Sequence, residues 1–477
     1  MQFEKFLKSR WIDVILFALS VLLFGFKNTW SSWFVFVPVF LFVHHLSIRY
    51  VSLFGVLYGF LSYFIYLFWM FHFSEVALFG CCFLYAFYWA ILFVIIKIVL
   101  LKAKDFSVIL LPVVITLYEY VRTLGFLGFS YGINGYSQYE NLCFIQIADI
   151  FGVWGVSFVL NLCSSVIYFV LVNFRKENFY KRVTAVSIFL VLVAAVNIYG
   201  IVRIHYFKQL EEKSPYITVI AMQNNSDPWK GGIQKYENDL EELISLTDKA
   251  LEENPTADLI VWPETAVIPS ILKHYDSADE RRKNLVRRLL SYVDGKKTAF
   301  VIGNYNSIDG NDYNSAFFFE PGKNVIPPMP HHYEKNHLVP FCEYFPYKKQ
   351  FPYFYEKLLG GDTHMWVPGK ERKIFDLNGF VFATPVCFED TFGADCRKFV
   401  QNGAKAFVNL SNDFWAESRK CQIQHLQAAV FRSIENRVPS VRSCSSGETC
   451  IINSCGKITV RAVPFEKNYI CGKMTKY

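Results

Sequence analysis

The sequence predicts a chain of two parts, a multi-span α-helical membrane domain followed by a layered α/β domain. Hydrophobic residues make up 53% of the 477 residues and charged residues 19%, an apolar balance above that of an average soluble domain. Long apolar runs fill the chain up to residue 202. From residue 203 onward, short apolar runs alternate with charged amphipathic stretches, the pattern of packed strands and helices. We therefore assign 1–202 to the membrane domain and 203–477 to the second domain.

The first domain contains seven apolar runs, and crossing a bilayer as a helix takes roughly 20 apolar residues. The predicted spans are 11–26, 30–48, 51–71, 76–101, 107–122, 149–173 and 183–202. The fifth is the weakest because it contains Pro112, Glu119 and Arg122. No small-residue cleavage site follows the basic N-terminus and first apolar run, so we interpret them as a retained span and not a signal peptide.

Basic residues mark one side of the predicted spans. They cluster in 1–10, 102–104 and 175–182, whereas the alternate loops carry little beyond Lys27. Lys and Arg favour cytoplasmic loops, so the N-terminus is predicted to lie inside. Seven spans then place 203–477 on the periplasmic side of a bacterial inner (cytoplasmic) membrane. If the fifth span is only re-entrant, the second domain is cytoplasmic instead.

Composition and motifs exclude several classes of site. The net charge of +7 is weak evidence for nucleic-acid binding because many of the basic residues flank apolar runs, and we predict no nucleic-acid partner. The twelve cysteines form no CxxC pair or zinc-binding pattern, and no phosphate-binding glycine loop is present. The sequence therefore predicts neither a metal nor a cofactor.

Three polar residues of the second domain lie where an α/β fold places chemistry. Glu264 follows an apolar run in VWPET, Lys335 lies in HHYEKNHLVPFCEYFP, and Cys387 closes an apolar run in ATPVCFED. Taken singly, each has an ordinary structural explanation. A cysteine at a strand end is usually buried and inert, a glutamate after a strand is usually a capping or surface residue, and a lone lysine is usually solvated. Together they supply a nucleophile, a base and a cation that can stabilise an oxyanion. The set predicts a nucleophilic Cys387.

These segments resemble a known family. WPET, YEKNHLVPFCEYFP, VCFE, SNDFW and QHLQAA resemble the nitrilase (carbon–nitrogen hydrolase) superfamily with its Glu–Lys–Cys triad. The seven apolar runs, with GYSQ at 135–138 and FGVWGVSF at 151–158, narrow the resemblance to the apolipoprotein N-acyltransferase family. The resemblance implies a nitrilase-like α-β-β-α sandwich. It also implies that Glu264 is the general base, Cys387 the nucleophile and Lys335 the group that holds the oxyanion.

Four further residues take supporting roles by the same resemblance. Glu343 and Glu389 resemble carboxylates that keep Lys335 charged and oriented, and Trp229 matches a tryptophan on a substrate-side loop. The backbone N–H of Phe388 is expected to help hold the oxyanion. Phe388 replaces the tyrosine usual in the family, so that hydroxyl is absent here. No apolar span follows the second domain, where the family has a final transmembrane helix, and we expect activity to survive these differences.

The reaction implied by the resemblance is a two-step acyl transfer by a monomeric membrane enzyme. A phospholipid is the expected acyl donor, and the α-amine of a diacylglyceryl-modified apolipoprotein is the expected acceptor. Both substrates are lipids, so we expect the site to open toward membrane lipids. The stretch 344–359 is rich in aromatic residues around two lysines, as expected of an arm lying in the headgroup layer, and we predict that it gates lipid entry.

Two other functions remain open from the residues alone. A membrane-anchored nitrilase-type amidase acting on a small molecule could use the same three residues but would release its acyl group to water. A transporter or scaffold whose second domain only binds is the other alternative. The predicted spans hold few paired intramembrane charges, which argues mildly against transport.

Overall fold

The computed structural model describes residues 10–174, 178–228, 230–359 and 365–476, and the chain forms two compact units, 1–205 and 206–477. The first unit is built from helices, and each of the seven predicted apolar runs contains one. These helices are α1 (Arg10–Gly25), α2 (Val37–His45), α3 (Val51–Tyr66), α4 (Glu75–Lys102), α5 (Ser107–Val121), α6 (Leu142–Ile145), α7 (Ala148–Val172) and α8 (Phe179–Lys213). Of the described residues, α4, α7 and α8 are long and apolar enough to cross a membrane.

Close packing of α3 on α4 depends on two glycines spaced four residues apart. A Cβ atom on Gly55 would lie 2.5 Å from the carbonyl oxygen of Trp89, and one on Gly59 would lie 2.6 Å from that of Tyr85. Such GxxxG spacing lets helix backbones approach closely where apolar burial cannot drive association. The pair therefore fixes the contact between these two helices.

Residues 130–139, in the segment that follows α5, are largely buried although they do not form a continuous helix. The carboxylate of Glu119 accepts a hydrogen bond from the backbone N–H of Asn134 at 2.7 Å. Arg122 donates to the hydroxyl of Tyr85 at 2.8 Å and to the carbonyl of Tyr131 at 2.9 Å. Irregular backbone in a membrane domain requires such internal partners. These charged residues thus hold the irregular segment in place.

The described residues of the second unit form two six-stranded sheets. Its strands are β1 (Tyr216–Gln223), β2 (Leu259–Val261), β3 (Ala299–Ile308), β4 (Asn311–Phe319), β5 (His331–Glu334), β6 (Ile374–Leu377), β7 (Phe380–Ala383), β8 (Phe407–Ser411), β9 (Ser440–Cys444), β10 (Cys450–Ile452), β11 (Ile458–Arg461) and β12 (Asn468–Thr475). The first sheet has the order β12-β1-β2-β3-β4-β5 and the second β11-β10-β9-β8-β7-β6. The strands β1, β2 and β3 are parallel, as are β7, β8 and β9.

Helices cover these sheets and complete the expected α-β-β-α sandwich. They are α9 (Gly232–Glu253), α10 (Ile271–His274), α11 (Glu280–Asp294), α12 (Pro352–Leu359), α13 (Gly393–Gln401) and α14 (Arg419–Asn436). Leu243 of α9 and Leu289 of α11 share a buried core with Phe300 of β3. Between the sheets, the Ser443 hydroxyl on β9 donates to the carbonyl oxygens of Met222 at 2.7 Å and Val261 at 3.1 Å. The two sheets therefore pack face to face.

Candidate active site

Glu264 lies in the turn that follows β2. The turn packs directly on β3, where a Cβ atom on Gly303 would lie 2.2 Å from the carbonyl oxygen of Pro263. Only a glycine at that position leaves room for the turn. The Glu264 carboxylate is buried and accepts a hydrogen bond from Nδ2 of Asn314, on β4, at 2.7 Å. The strand and the amide together hold this carboxylate in one orientation.

Lys335 follows β5 and is 1% exposed. Its Nζ donates to Oε1 of Glu343 at 2.7 Å and lies 3.6 Å from Oε1 of Glu264. Burial disfavours the charged ammonium, but the two carboxylates more than offset it and raise the pKa of Lys335 above its ordinary value. The side chain is therefore a fixed cation between two carboxylates.

Cys387 opens the 3-10 turn Cys387–Thr391, four residues past the end of β7. Its backbone φ of 51° lies in the left-handed region, which a non-glycine residue adopts only when its surroundings impose it. The thiol lies close enough to Glu264 and Lys335 for both of their charges to act on it. Burial, and then the negative charge of Glu264, raises the pKa of the Cys387 thiol to about 12, while the Lys335 ammonium acts in the opposite direction. The resting thiol is therefore protonated, with a base and a cation beside it.

The structure thus brings together the three residues singled out from the sequence. Glu264 and Lys335 come from segments next to strands of the first sheet, and Cys387 comes from the second sheet. The ammonium and the carboxylate both interact with the thiol. A carbonyl carbon that reaches the sulfur would develop its negative charge beside a buried cation, which is the arrangement that acyl transfer requires.

Glu343 and Glu389 hold different parts of this arrangement. Glu343 contacts the Lys335 ammonium directly and also accepts the backbone N–H of Val339 at 2.7 Å. Glu389 is 3% exposed and bridges the segment after Lys335 to the residue before Cys387. Its donors are the Tyr333 hydroxyl (2.8 Å) and the backbone N–H groups of Asn336 (2.8 Å), His337 (2.9 Å) and Val386 (2.8 Å). Glu389 therefore positions backbone on both sides of the site, whereas Glu343 touches the cation itself.

Of the two aromatic residues expected at the site, the structure describes Phe388. The ring of Phe388 is buried, with its centroid 4.9 Å from that of Phe392 and 6.2 Å from that of His337. Phe388 thus packs into the second unit and contributes no side-chain donor. Trp229 lies outside the described residues.

Comparisons with known proteins bear on the whole chain. The family model for carbon–nitrogen hydrolases matches residues 218–476, and that for the apolipoprotein N-acyltransferase N-terminal domain matches residues 15–166. The chain is 39% identical over 486 residues to apolipoprotein N-acyltransferase 1 of Treponema denticola, which covers 97% of this chain and 89% of that protein. It belongs to the apolipoprotein N-acyltransferase family.

A second relative and a solved structure are also similar to this chain. Apolipoprotein N-acyltransferase 1 of Treponema pallidum is 38% identical, over 98% of this chain and 90% of its own length. The solved structure of Saccharomyces cerevisiae Nit3, a member of branch 10 of the nitrilase superfamily, has a TM-score of 0.40 and 17% identity. It covers 55% of this chain and 90% of its own. Membership in the acyltransferase family, together with the apolar helices, makes this chain a membrane protein.

Several residues at the site were not singled out in the sequence. Asn314 orients Glu264, but it is one of several polar residues in the first half of its strand, and no local pattern distinguishes it from the others. His425, in QHLQAA, lies 3.3 Å from the carbonyl oxygen of Cys387 and 3.1 Å from Asp413, in SNDFW; both motifs carry the family resemblance, but neither indicates this contact. Among the described residues, no group of three or more His, Cys, Asp or Glu side chains is arranged to hold a metal ion.

Proposed function

We propose that this chain transfers an acyl chain from a phospholipid to the α-amine of the diacylglyceryl-cysteine of an apolipoprotein, through a thioester on Cys387. The observation that carries the proposal is the buried group of three side chains: the Lys335 ammonium lies 3.6 Å from the Glu264 carboxylate, and both charges act on the Cys387 thiol. The acceptor class comes from the relatives, which are apolipoprotein N-acyltransferases. Glu264, Lys335 and Cys387 form the proposed catalytic triad.

The first step forms the thioester. Glu264 takes the thiol proton as the sulfur attacks the carbonyl carbon of the sn-1 ester, because a thiol with a pKa raised by burial needs a base at the moment of attack. The tetrahedral oxyanion forms beside the Lys335 ammonium and the backbone N–H of Phe388. Collapse breaks the bond between the acyl carbon and the glycerol oxygen. Glu264 returns the proton to that oxygen, and a lysophospholipid leaves.

The second step releases the acyl chain to the acceptor. The neutral α-amine of the lipoprotein cysteine attacks the thioester carbon, and Glu264 accepts a proton from the nitrogen. A second oxyanion forms in the same place and collapses with loss of the Cys387 sulfur. The sulfur regains the proton from Glu264, and the product is an amide. The same base and the same cation therefore serve both steps.

The supporting residues keep this geometry. Glu343 holds the Lys335 ammonium, since the two form the shorter ion pair at 2.7 Å. Glu389 joins the backbone around Lys335 to that around Cys387 through four hydrogen bonds. Trp229 is assigned to the substrate side by resemblance alone. The enzyme is proposed to act as a monomer.

The proposed location is the bacterial inner membrane, with residues 203–477 on the periplasmic side after seven spans. An impermeant thiol reagent applied to intact cells tests this orientation. A cysteine replacing the exposed Lys297 should react before lysis, and one replacing the exposed Lys102 should react only afterwards. The reverse pattern would place the second unit in the cytoplasm.

A product assay tests the function. The purified full chain is incubated with a phospholipid carrying an isotope-labelled sn-1 acyl chain and a synthetic diacylglyceryl lipopeptide. We expect labelled N-acyl lipopeptide and one equivalent of lysophospholipid, and neither product with Cys387→Ala. Labelled free fatty acid without acylated peptide would mean that water is the acceptor, which is the behaviour of an amidase-type hydrolase and would overturn the transferase assignment.

A further inference from the structure

Four charged side chains form a buried cluster next to the backbone carbonyl of Cys387, and the mechanism above does not use them. We call it the His425 cluster; its members are His425 on α14, Asp413 after β8, Asp390 in the turn that Cys387 opens, and Arg442 on β9. Their side chains are 2%, 2%, 5% and 1% exposed. Charges this deeply buried persist only when they are paired, so the pairing reveals their protonation states.

Both ring nitrogens of His425 face hydrogen-bond acceptors. Nδ1 lies 3.1 Å from Oδ1 of Asp413, and Nε2 lies 2.9 Å from Oδ1 of Asp390 and 3.3 Å from the carbonyl oxygen of Cys387. A neutral imidazole has only one N–H, so both contacts are satisfied only by the doubly protonated ring. Arg442 pairs with the other oxygen of Asp390. Two cations therefore balance two carboxylates, and His425 is an imidazolium.

The imidazolium contacts the nucleophile through its backbone carbonyl. Nδ2 of Asn409 donates to the same carbonyl oxygen at 3.4 Å, so two donors hold it. The carbonyl of Cys387 and the N–H of Phe388 belong to one planar trans peptide and point in opposite directions. Donors that fix the carbonyl therefore also fix the direction of that N–H. A cation on the carbonyl side further polarises the peptide and strengthens its N–H as a donor.

We propose that His425 is a positioning residue for acyl transfer: by holding the Cys387 carbonyl, its imidazolium keeps the Phe388 N–H aimed at the oxyanion. The inference rests on the proposed function, because it assumes that Cys387 attacks an ester. His425 touches neither the sulfur nor the acyl group in this account. It acts chiefly through one peptide group of the nucleophile's own turn, since its charge lowers the pKa of the thiol less than the Lys335 ammonium does.

Two reactions of the same thiol separate this role from a merely structural one. Acylation by an ester passes through a tetrahedral oxyanion and depends on the aimed N–H. Alkylation by iodoacetamide forms a sulfur–carbon bond as iodide leaves and the thiol proton goes to Glu264 or solvent, and no oxyanion forms. Loss of a positioning residue slows the first reaction alone. Loss of a structural support slows both, because the thiol and its base then move apart.

The test compares the full-length chain with His425→Gln in phospholipid-containing micelles. Single-turnover acylation of Cys387 and its alkylation by iodoacetamide are both followed by intact mass. We expect acylation to be slower by about 10- to 100-fold, since deleting an oxyanion donor outright costs about 10²- to 10³-fold, and alkylation to stay within about twofold. The control is His274→Gln, whose Nδ1 likewise lies 2.9 Å from a backbone carbonyl, that of Ser270, and both of its rates should match those of the wild type.

Three outcomes would overturn the inference. Unchanged acylation in His425→Gln, or acylation and alkylation slowed equally, removes the positioning role and leaves the proposed function intact. A wild-type chain that forms no acyl adduct on Cys387 overturns the proposed function and this inference together. If His425→Gln does not fold, Asp413→Asn is used instead, because it keeps the ring but weakens its charge. The same split between the two reactions is then expected at smaller size, and its absence would refute the role.

Discussion

Replacing Lys335 with methionine removes the buried cation and retains most of the side-chain volume. The ammonium lies 2.7 Å from Glu343 and 3.6 Å from Glu264. At an effective dielectric constant of about 20, each pair attracts by about 5–6 kcal/mol, and the cost of burying the ammonium offsets part of this. Removing one member of a buried ion pair costs about 3–5 kcal/mol net. We expect a loss of that size in the stability of the second unit.

The loss of stability in Lys335→Met should also depend on pH. Lys335 lowers the pKa of Glu264, so its removal raises a carboxyl pKa that burial has already raised. A group whose folded pKa exceeds its unfolded value stabilises the fold at low pH and loses that contribution as the pH rises. The destabilisation of Lys335→Met should therefore be larger at pH 8 than at pH 5. Thermal unfolding in detergent, followed by tryptophan fluorescence, measures both values, with a fall of about 10 °C expected at pH 8.

A second substitution separates the two roles of this cation. In Lys335→Met/Glu343→Gln one of the uncompensated carboxylates is gone, so part of the lost stability should return. Acylation of Cys387 should stay at least about 100-fold below wild type in both variants, because neither has a cation at the oxyanion. Acylation that recovers together with stability, or a single variant as stable as wild type, would refute the reasoning.

Three further predictions concern the supporting residues. In Glu389→Gln one acceptor oxygen becomes an NH2 group, which cannot accept the buried backbone N–H of Val386. The free energy of unfolding should therefore fall by about 1–3 kcal/mol. Denaturation curves that match those of the wild type would contradict this. Burial lowers the pKa of His425, but the charge and hydrogen bond of Asp413 and the contact with Cys387 together outweigh burial and raise the pKa to about 9. The stabilisation from its charge is therefore full below about pH 6.5 and lost as the pH rises through 9, so the stability advantage over His425→Gln should shrink across that window by up to about 3 kcal/mol. An advantage that stays constant would refute the pairing. The Tyr353 side chain on α12 is 65% exposed, and Tyr353→Ser should slow acylation from vesicles several-fold without lowering the unfolding midpoint. Phe465→Ser, which replaces another exposed aromatic residue, should leave the acylation rate unchanged. Equal rates in the two variants would count against a lipid-gating arm.

Most of the second unit could be predicted because local pattern and tertiary structure agree there. The charged amphipathic stretch 232–253 forms α9, and its buried residues recur about every three or four positions, as on one face of a helix. Two strands lack such a local pattern and could not be predicted from the sequence. His331–Glu334 is a four-residue polar strand at a sheet edge, and Asn468–Thr475 pairs with β1 across more than half of the unit's sequence. No local signal indicates a partner so distant in the chain.

The candidate site shows the same division. Glu264, Lys335 and Cys387 could be picked out because each is a reactive residue next to an apolar or Pro-bounded segment. That they meet depends on two sheets packing face to face, which only the resemblance predicted. The role of His425 could not be predicted because the sequence of a helix does not show which side chains a histidine on it contacts. Its meaning comes from Asp390 and Asp413, which reach it from two other segments. In the predicted lipid-gating arm, 344–359, the side chains of Phe354 and Leu358 lie outside the described residues.

The most direct test of the central claim is the mass of the peptide that contains Cys387 after the full-length chain meets phospholipid without an acceptor. The account predicts one acyl chain on that peptide, sensitive to hydroxylamine as a thioester is, and lost in Cys387→Ala. An acyl chain on any other residue, or an unmodified Cys387 peptide beside released lysophospholipid, would contradict it.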